Sequence, residues 1–201
     1  MDIEMEIADD GFLHPKANIR TDGDGNRLVI KARAALGKRV APRIEFLGSN
    51  NTFILHEGAV IKAGHYRISG EGSKIEIGAG TTINGAYFLC DGGTTITLGH
   101  DCLLSYGIEF RTTDAHSILN RASGELLNPP ADITIGDHCW IGKEVCILQG
   151  VTICDNVIVG TRALVTKSHD VPFSALAGVP ARQVSENVEW HRRPPKREHL
   201  P

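Results

Sequence analysis

The feature that most constrains this 201-residue chain is a six-residue repeat between residues 133 and 167. A branched aliphatic residue occupies every sixth position: Ile135, Ile141, Ile147, Ile153, Val159 and Val165. Four positions after each of the first five lies a second apolar residue, in the order Cys139, Val145, Val151, Val157 and Ala163. An α-helix would spread both columns around its circumference, whereas short strands joined by tight bends return them to one interior. The stretch therefore predicts a β-solenoid.

A longer repeat extends the solenoid toward the N-terminus. Residues 48–61, 70–83 and 91–104 align with offsets of 22 and 21, and each copy has a Gly/Asn-rich corner followed by an apolar-x-apolar strand. A weaker copy at residues 24–36 opens the series. Since three hexads make about 18 residues, each copy predicts one triangular coil with an enlarged corner. We expect a single all-β domain over residues 21–184.

The ends and one internal segment do not follow the repeat. Residues 1–20 predict an irregular N-terminal leader that covers the open end, and residues 185–201 predict a short C-terminal helix and tail. Between Phe110 and Ile133 the six-residue step is lost, and Ser-Gly and Pro-Pro pairs mark an extruded loop at about residues 111–130. Loops that leave a rigid scaffold often carry function.

Composition excludes several classes of protein. A formal net charge of -3 gives no basic footprint for nucleic acid. Five cysteines form no paired framework, and Cys102 and Cys139 fall at interior positions, which indicates buried free thiols in a reducing compartment. The acidic start has no apolar run, and no apolar segment is long enough to span a membrane. These patterns predict a cytoplasmic protein.

The chain resembles the hexapeptide-repeat acyltransferase family over roughly residues 25–190. The resemblance lies in ITIGDHCWIG, GVTICDNVIVG, the Thr-Lys pair followed by AGVPARQV, and a histidine in TTDAHSI directly after a regular coil. The branch it most resembles contains the maltose, galactoside and capsule or lipopolysaccharide O-acetyltransferases. The resemblance implies a left-handed parallel β-helix and a homotrimer with acetyl-coenzyme A between neighbouring prisms. It also implies acetyl transfer to a sugar hydroxyl.

Acyl transfer from a thioester to a hydroxyl needs a group that takes the alcohol proton. His116 stands where a coil opens into the loop, and the family motif places its catalytic histidine there. Asp114, two residues earlier, could orient the imidazole or a neighbouring group. No serine or cysteine near His116 stands in a nucleophile context, so direct attack on the thioester is the simpler mechanism.

The resemblance also implies binding residues. Asn84 and Asp91 match acceptor-side positions. Trp140 precedes an interior isoleucine and should face outward, toward coenzyme A or a neighbouring subunit. The other residues expected at the cofactor are Lys143, Gly160, Thr161, Arg162, Thr166, Lys167 and Arg182. Thr161 and Arg162 stand where relatives often have Ala and Gly, which leaves the contacts of the cofactor open.

Three alternatives remain. The acceptor could be the amine of a nucleotide sugar, or the solenoid could be a non-catalytic trimeric scaffold. A zinc enzyme of the carbonic anhydrase type would need His100, His116 and His138 to converge, although the repeat sets His138 out of step with His100. Otherwise no metal is expected. The acceptor's identity, and acetyl versus longer acyl transfer, lie beyond the sequence.

Overall fold

The structure, a computed structural model, describes residues 3–194, and all its regular elements are β-strands. In chain order these are β1 (Ile3–Ile7), β2 (Phe12–Leu13), β3 (Asn18–Asp22), β4 (Asn26–Ile30), β5 (Ala35–Leu36), β6 (Arg43–Leu47), β7 (Thr52–Leu55), β8 (Val60–Ile61), β9 (Gly64–Ser69), β10 (Lys74–Ile77), β11 (Thr82–Cys90), β12 (Thr95–Leu98), β13 (Leu103–Arg111), β14 (Ile133–Ile135), β15 (Trp140–Ile141), β16 (Cys146–Ile147), β17 (Thr152–Ile153), β18 (Val157–Val159), β19 (Leu164–Val165), β20 (Ser174–Ala177) and β21 (Arg182–Glu186). The fold class is therefore all-β, as predicted.

The strands stack in parallel on three faces of a triangular solenoid. Face A is one seven-stranded sheet, β1-β4-β7-β10-β12-β14-β17. Face B contains β2, β5, β8, the first halves of β11 and β13, then β15, β18 and β20. Face C contains β3, β6, β9, the second halves of β11 and β13, then β16 and β19. Seven coils thus surround one core.

The register of the sheets confirms both repeats. Lys74 pairs with Thr52 before it and Thr95 after it, which matches the offsets of 22 and 21 seen in the sequence. In the last coils Trp140 pairs with Ile158, a spacing of three hexads. The two interior columns predicted from the six-residue step are buried throughout. The step therefore does mark the inward positions of successive strands.

An aromatic stack fills the interior of face C in the middle coils. The rings of Tyr66 and Phe88 lie 5.2 Å apart, and those of Phe88 and Phe110 lie 4.6 Å apart at 19°. All three side chains are fully buried. Burial raises the pKa of the Tyr66 hydroxyl. Because parallel pairing places equivalent residues directly above one another, identical ring types stack along the axis.

The N-terminal residues do not form the irregular leader predicted for residues 1–20. Within the described part, β1 pairs with β4, β2 with β5 and β3 with β6, so residues 3–22 make a complete first coil. The prediction was wrong although Ile7, Leu13 and Ile19 lie inward and keep the six-residue step. This copy lacks the Gly/Asn-rich corner that marks the later ones in the sequence. Whether this coil acts as a cap stays a prediction.

The predicted C-terminal helix is also wrong. β21 pairs antiparallel with β20, and residues 187–194 continue without regular structure. Trp190 is buried and stacks on His138 at 4.4 Å, and the Arg192 guanidinium bonds to Asp101. Extended pairing and these side-chain anchors replace helical hydrogen bonds. Residues 195–201 lie outside the described part.

The sequence also predicted buried free thiols and no membrane-spanning segment. Cys102 and Cys139 are free and buried, as predicted. Residues 3–194 contain no helix that could span a membrane.

We predict that Phe88→Ala lowers the free energy of unfolding by about 3–5 kcal/mol, because it removes the centre of the aromatic stack and leaves a cavity that neighbouring coils cannot fill. Urea denaturation followed by circular dichroism measures this loss. Val40→Ala is the control, since Val40 is 58% exposed and should change stability by less than about 0.5 kcal/mol. Equal effects of the two substitutions would contradict a tightly packed stack.

Candidate active site

One loop interrupts the coil series where the sequence predicted it. β13 ends at Arg111 and face A resumes only at Ile133, so the loop leaves the solenoid at the corner between faces C and A. A short antiparallel bridge joins Leu119 to Leu126 within the loop. His116 lies exposed near its start, and no hydrogen bond to its imidazole exists among residues 3–194. The ring is therefore accessible to a substrate.

Asp114 does not hold the imidazole of His116. Its Oδ2 accepts hydrogen bonds from Asn128 Nδ2 at 2.8 Å and from Gln149 Nε2 at 2.9 Å. These donors, together with the charge of Arg111, hold the pKa of the Asp114 carboxyl below its usual value, although partial desolvation opposes them. Asp114 therefore connects the start of the loop to its end and to the turn after β16. An orienting effect on His116 stays a prediction.

A small cavity lies beside the start of the loop. It measures about 220 Å³ and is lined by Arg67, Tyr87, Leu89, Asp91, Arg111 and Ala115. Leu89 pairs with both Arg67 and Arg111 in the sheet, so the two arginines lie on the same outer row of face C. Arg111 Nη1 donates to Glu109 at 2.5 Å, whereas Arg67 is exposed and has no ion-pair partner within the described residues. The cavity can therefore accept an anionic group beside Ala115, the residue that precedes His116.

Asn84 occupies a different corner, between faces B and C. Its Oδ1 accepts a hydrogen bond from Lys62 Nζ at 2.6 Å, and its Nδ2 donates to the Leu104 carbonyl at 3.2 Å. The amide thus links three successive coils. Contact with an acceptor stays a prediction.

Several predicted cofactor residues follow Asn84 along the same corner. Lys143 lies in the turn between β15 and β16, and residues 160–163 form the equivalent turn between β18 and β19. Arg162 Nε donates to Glu144 at 2.6 Å, and Lys143 Nζ lies 3.1 Å from the same carboxylate. Glu144 therefore offsets part of the positive charge that the sequence predicted here. Gly160 lies close to the next coil, since a Cβ there would be 3.2 Å from the Leu176 carbonyl oxygen. Thr161 is exposed beside it.

Lys167 and Arg182 are brought together at the C-terminal end. They line a cavity of about 230 Å³ with Ser168 and His169, and Thr166 is exposed immediately before it. Lys167 has no acidic partner among the residues that the structure describes. This pair is the best phosphate-binding candidate of the predicted cofactor set.

Trp140 faces outward from face B, as predicted, and is 42% exposed. The C-terminal segment 187–194 crosses the face beside it, with the Trp190 ring 6.3 Å from the Trp140 ring. Trp190 Nε1 donates to the His138 carbonyl at 2.8 Å. A mainly apolar cavity of about 620 Å³ lies between this segment and Leu103, Trp140 and Ile158. The C-terminal segment of the same chain therefore covers part of the outward surface of Trp140.

Ten of the twelve predicted residues thus form two groups in one chain, while Trp140 lies on face B and Arg182 in β21. His116, Asp114, Asp91, Thr166 and Lys167 lie at the corner between faces C and A, whereas Asn84, Lys143, Gly160, Thr161 and Arg162 lie at the corner between faces B and C. The full width of face C separates the corners. The sequence reasoning missed Asn128, Gln149, Arg67 and the Trp190 segment, because their partners are distant in sequence and only the Asn-Pro-Pro run marked any of them.

The histidines of the zinc alternative do not converge. His100 Nδ1 accepts from the Ala79 amide at 3.0 Å, and His138 Nδ1 bonds to Asp101 at 2.8 Å, both at the corner between faces A and B. His116 lies in the loop at another corner. No group of three or more His, Cys, Asp or Glu side chains within residues 3–194 is arranged to hold a metal ion.

A triangular parallel solenoid interrupted by a loop that exposes a histidine is the architecture that the resemblance to left-handed β-helix acyltransferases implied. Residues 132–167 match the family described as bacterial transferase hexapeptide (six repeats). The chain is 33% identical over 175 residues to the polysialic acid O-acetyltransferase of Neisseria meningitidis, which covers 76% of this chain and 81% of that protein.

Two further comparisons agree with that match. The polysialic acid O-acetyltransferase of Escherichia coli O1:K1 / APEC is 32% identical over 139 residues, and this chain spans only 44% of its length. The crystal structure of the polySia-specific acetyltransferase NeuO superposes with a TM-score of 0.80 at 26% identity, over 95% of this chain and 78% of that one. The chain belongs to the hexapeptide-repeat family and is an acyltransferase.

We predict that the Asp114 carboxyl titrates below pH 3.8 in the folded protein, which carbon-detected NMR of the carboxyl group measures. The lowered pKa means that the loop contacts favour the carboxylate. Their contribution is complete above the ordinary pKa near 4 and is lost as the pH falls through the lowered value. Asn128→Ala should move the midpoint up, since Asn128 is the largest cause. A midpoint above 3.8 in the wild type would contradict the network.

Proposed function

We propose that this protein transfers an acetyl group from acetyl-coenzyme A to a sugar hydroxyl of an acidic glycan, with His116 as general base. One observation carries the proposal: within residues 3–194 the exposed His116 stands in the loop that breaks the coil series, and Ala115, the residue before it, lines a cavity with two arginines. Membership of the acyltransferase family and the names of the relatives, polysialic acid O-acetyltransferases, support the reaction type.

In the proposed reaction His116 takes the proton of the acceptor hydroxyl while that oxygen attacks the acetyl carbonyl carbon. His116 then returns the proton to the departing thiolate sulfur, so the imidazole ends neutral and no acyl-enzyme is needed. In its neutral form the imidazole has one ring nitrogen without a hydrogen, which can accept the proton. The His116 side chain is exposed to solvent in the single chain, so both substrates can reach it.

The donor set at the C-terminal end suits acetyl-coenzyme A. Bound acetyl-coenzyme A would supply the acetyl thioester, and its phosphates would need cationic partners. Lys167 and Arg182 share one cavity, and Lys167 has no carboxylate partner within the described residues. Lys143 and Arg162 already bind Glu144, so we propose that they contribute less. Trp140, with part of its ring exposed, would contact an apolar part of the cofactor.

The acceptor side suits a carboxylated sugar. Arg67 and Arg111 lie on one row of face C at the cavity that Ala115 also lines, and a guanidinium can bind a carboxylate through two parallel hydrogen bonds. Tyr87 and Leu89 offer an apolar floor for the sugar ring. Asp91 forms part of the same cavity and could bind a hydroxyl rather than an acid group. Arg111 is already bound to Glu109, so we propose that Arg67 contributes most to the selection of acidic over neutral acceptors.

We further propose a homotrimer with active sites between subunits. The two groups of predicted residues lie at different corners, so one chain alone does not assemble them. The loop that carries His116 exposes four large apolar side chains, each between 42% and 56% accessible: Ile118, Leu119, Leu126 and Leu127. Apolar groups clustered on an extruded loop are typical of a partner contact. A second copy would cover them while the loop brings His116 toward the neighbour's corner with Asn84.

With acetyl-coenzyme A as donor, the protein should acetylate an acidic glycan such as polysialic acid. Mass spectrometry should then detect a product about 42 Da heavier than the glycan. His116→Ala should reduce the rate by about 10²-fold or more, because general-base catalysis typically contributes 10²–10⁴-fold. Isothermal titration should show unchanged coenzyme A binding. His191→Ala is the matched control, since that exposed histidine lies on the C-terminal segment.

The acceptor panel separates the competing functions. Neutral maltose and galactosides should react more slowly than the acidic glycan, and Arg67→Ala should narrow that difference. A product formed only with an amino sugar would support N-acetyl transfer instead. Equal rates for the wild type and His116→Ala would remove the general base from the proposal, and no product with any acceptor would support a scaffold.

Sedimentation velocity should give a mass three times the 21.7 kDa of the chain. Leu119→Glu combined with Leu127→Glu should produce monomers and abolish transfer, because burying two carboxylates in an apolar contact is costly. Val179→Glu is the control: Val179 is 71% exposed and lies outside the loop, so the trimer should persist. A trimer that survives the double substitution would contradict the loop contact.

A further inference from the structure

One amide side chain holds the loop on both sides of His116. Asn128 Nδ2 donates to the His116 carbonyl oxygen at 2.9 Å and to Asp114 Oδ2 at 2.8 Å. Its Oδ1 accepts from the Ile118 amide at 2.7 Å. The two hydrogens and the oxygen of the amide are therefore all used. Three positions at the start of the loop are bound to one residue near its end.

The contacts fix the orientation of the Asn128 amide. Its NH₂ group faces two acceptors, a carbonyl and a carboxylate, and its oxygen faces a backbone N–H. Rotating the amide by half a turn would place oxygen against the carboxylate of Asp114 and NH₂ against the Ile118 amide, so every contact would become repulsive. Asn128 is also half-buried in a loop whose neighbouring residues are exposed.

The three hydrogen bonds of Asn128 to Asp114, His116 and Ile118 are called the clamp below. Gln149 anchors the clamp to the rigid solenoid. This residue follows β16 in the turn at the same corner, and its Nε2 donates to the same Asp114 oxygen that Asn128 binds, at 2.9 Å. A chain of hydrogen bonds therefore runs from the sixth coil through Gln149, Asp114 and Asn128 to the backbone of His116. No other described side chain hydrogen-bonds to the main chain of His116.

We propose that Asn128 is a positioning residue that fixes the main chain of the catalytic base, with Asp114 and Gln149 as its anchor. The inference rests on the proposed role of His116. Asp114 then acts on the imidazole only through this clamp, not by a direct hydrogen bond. Displacing a reacting group by about 1 Å can cost 10²-fold in rate, so a loop without the clamp would leave His116 present but misplaced.

Asn128→Asp tests the clamp with almost no change in shape. It removes both N–H donors and sets a second carboxylate against Asp114. We expect kcat to fall about 10²-fold, with little change in the KM for acetyl-coenzyme A. Asn120→Asp is the matched control in the same loop. Asn120 uses only its Oδ1, which accepts from the Ala122 and Ser123 amides, so a carboxylate can replace it and the rate should stay unchanged.

Two further variants separate positioning from a general loss of structure. In Asp114→Asn/Asn128→Asp the new amide at position 114 can donate to the new carboxylate, so part of the lost rate should return, although the bond to the His116 carbonyl remains lost. In a His116→Ala background, Asn128→Asp should cause no further loss of rate. The clamp is refuted if Asn128→Asp behaves like Asn120→Asp, or if it costs the same factor with and without His116.

A readout independent of activity keeps this inference distinct from the proposed function. The ring Cε1–H resonance of His116, assigned by its absence in His116→Ala, should shift in Asn128→Asp and stay in place in Asn120→Asp. An unmoved resonance would overturn the clamp even if acetyl transfer is observed. A shifted resonance in a protein without transfer activity would support the clamp, and the failure would then belong to the proposed function alone.

Discussion

Parallel stacking of successive coils is the constraint on which every other feature depends. A single coil of about 20 residues contributes a few inward aliphatic or aromatic side chains and cannot bury them alone. Each coil is completed by the backbone hydrogen bonds and side chains of its neighbours. Inward residues therefore repeat in columns, and every outward residue is held at a fixed height and corner. This rigidity lets short turns and one loop present chemical groups with defined geometry.

The loop after β13 is the segment in which the chain departs from the regular coils and exposes His116. Its backbone leaves the ladder bonds of the coils, so the loop needs contacts of its own. Asp114, Asn128 and Gln149 do this at the start, and a bridge between Leu119 and Leu126 closes the tip. The same loop exposes both the imidazole and a set of apolar side chains. A loop held in this way can serve catalysis and assembly together.

The three-sided cross-section has a further consequence for the proposed site. Groups at different corners of one prism face away from each other, and a face of strands separates them. Residues predicted for the acceptor and the cofactor fall at both corners, as Asn84 and His116 illustrate. A second prism packed against the first can bring one corner of each together. Proposed function and proposed assembly are therefore linked by geometry, since neither corner alone contains a full set.

The sequence by itself determined the interior. Ile135 to Val165, the paired column from Cys139 to Ala163, and the offsets of 22 and 21 specified which residues point inward, because a period of six fits only this kind of coil. It also located the loop and His116, where the period fails. The first coil was not predicted, although Ile7, Leu13 and Ile19 keep the six-residue step, because no Gly/Asn-rich corner precedes it. The end of the chain was wrongly expected to be helical.

Tertiary structure decided which outward residues meet. The sequence allowed a contact between Asp114 and its neighbour His116. In the structure Asp114 instead binds Asn128 and Gln149, which are 14 and 35 residues away. Trp190 reaches back to His138 and Trp140, and Arg67 joins Arg111 in one row, through contacts that no local pattern encodes. The interior follows from periodicity, a local property of the chain. The site follows from which coil lies above which, and only the assembled stack fixes that.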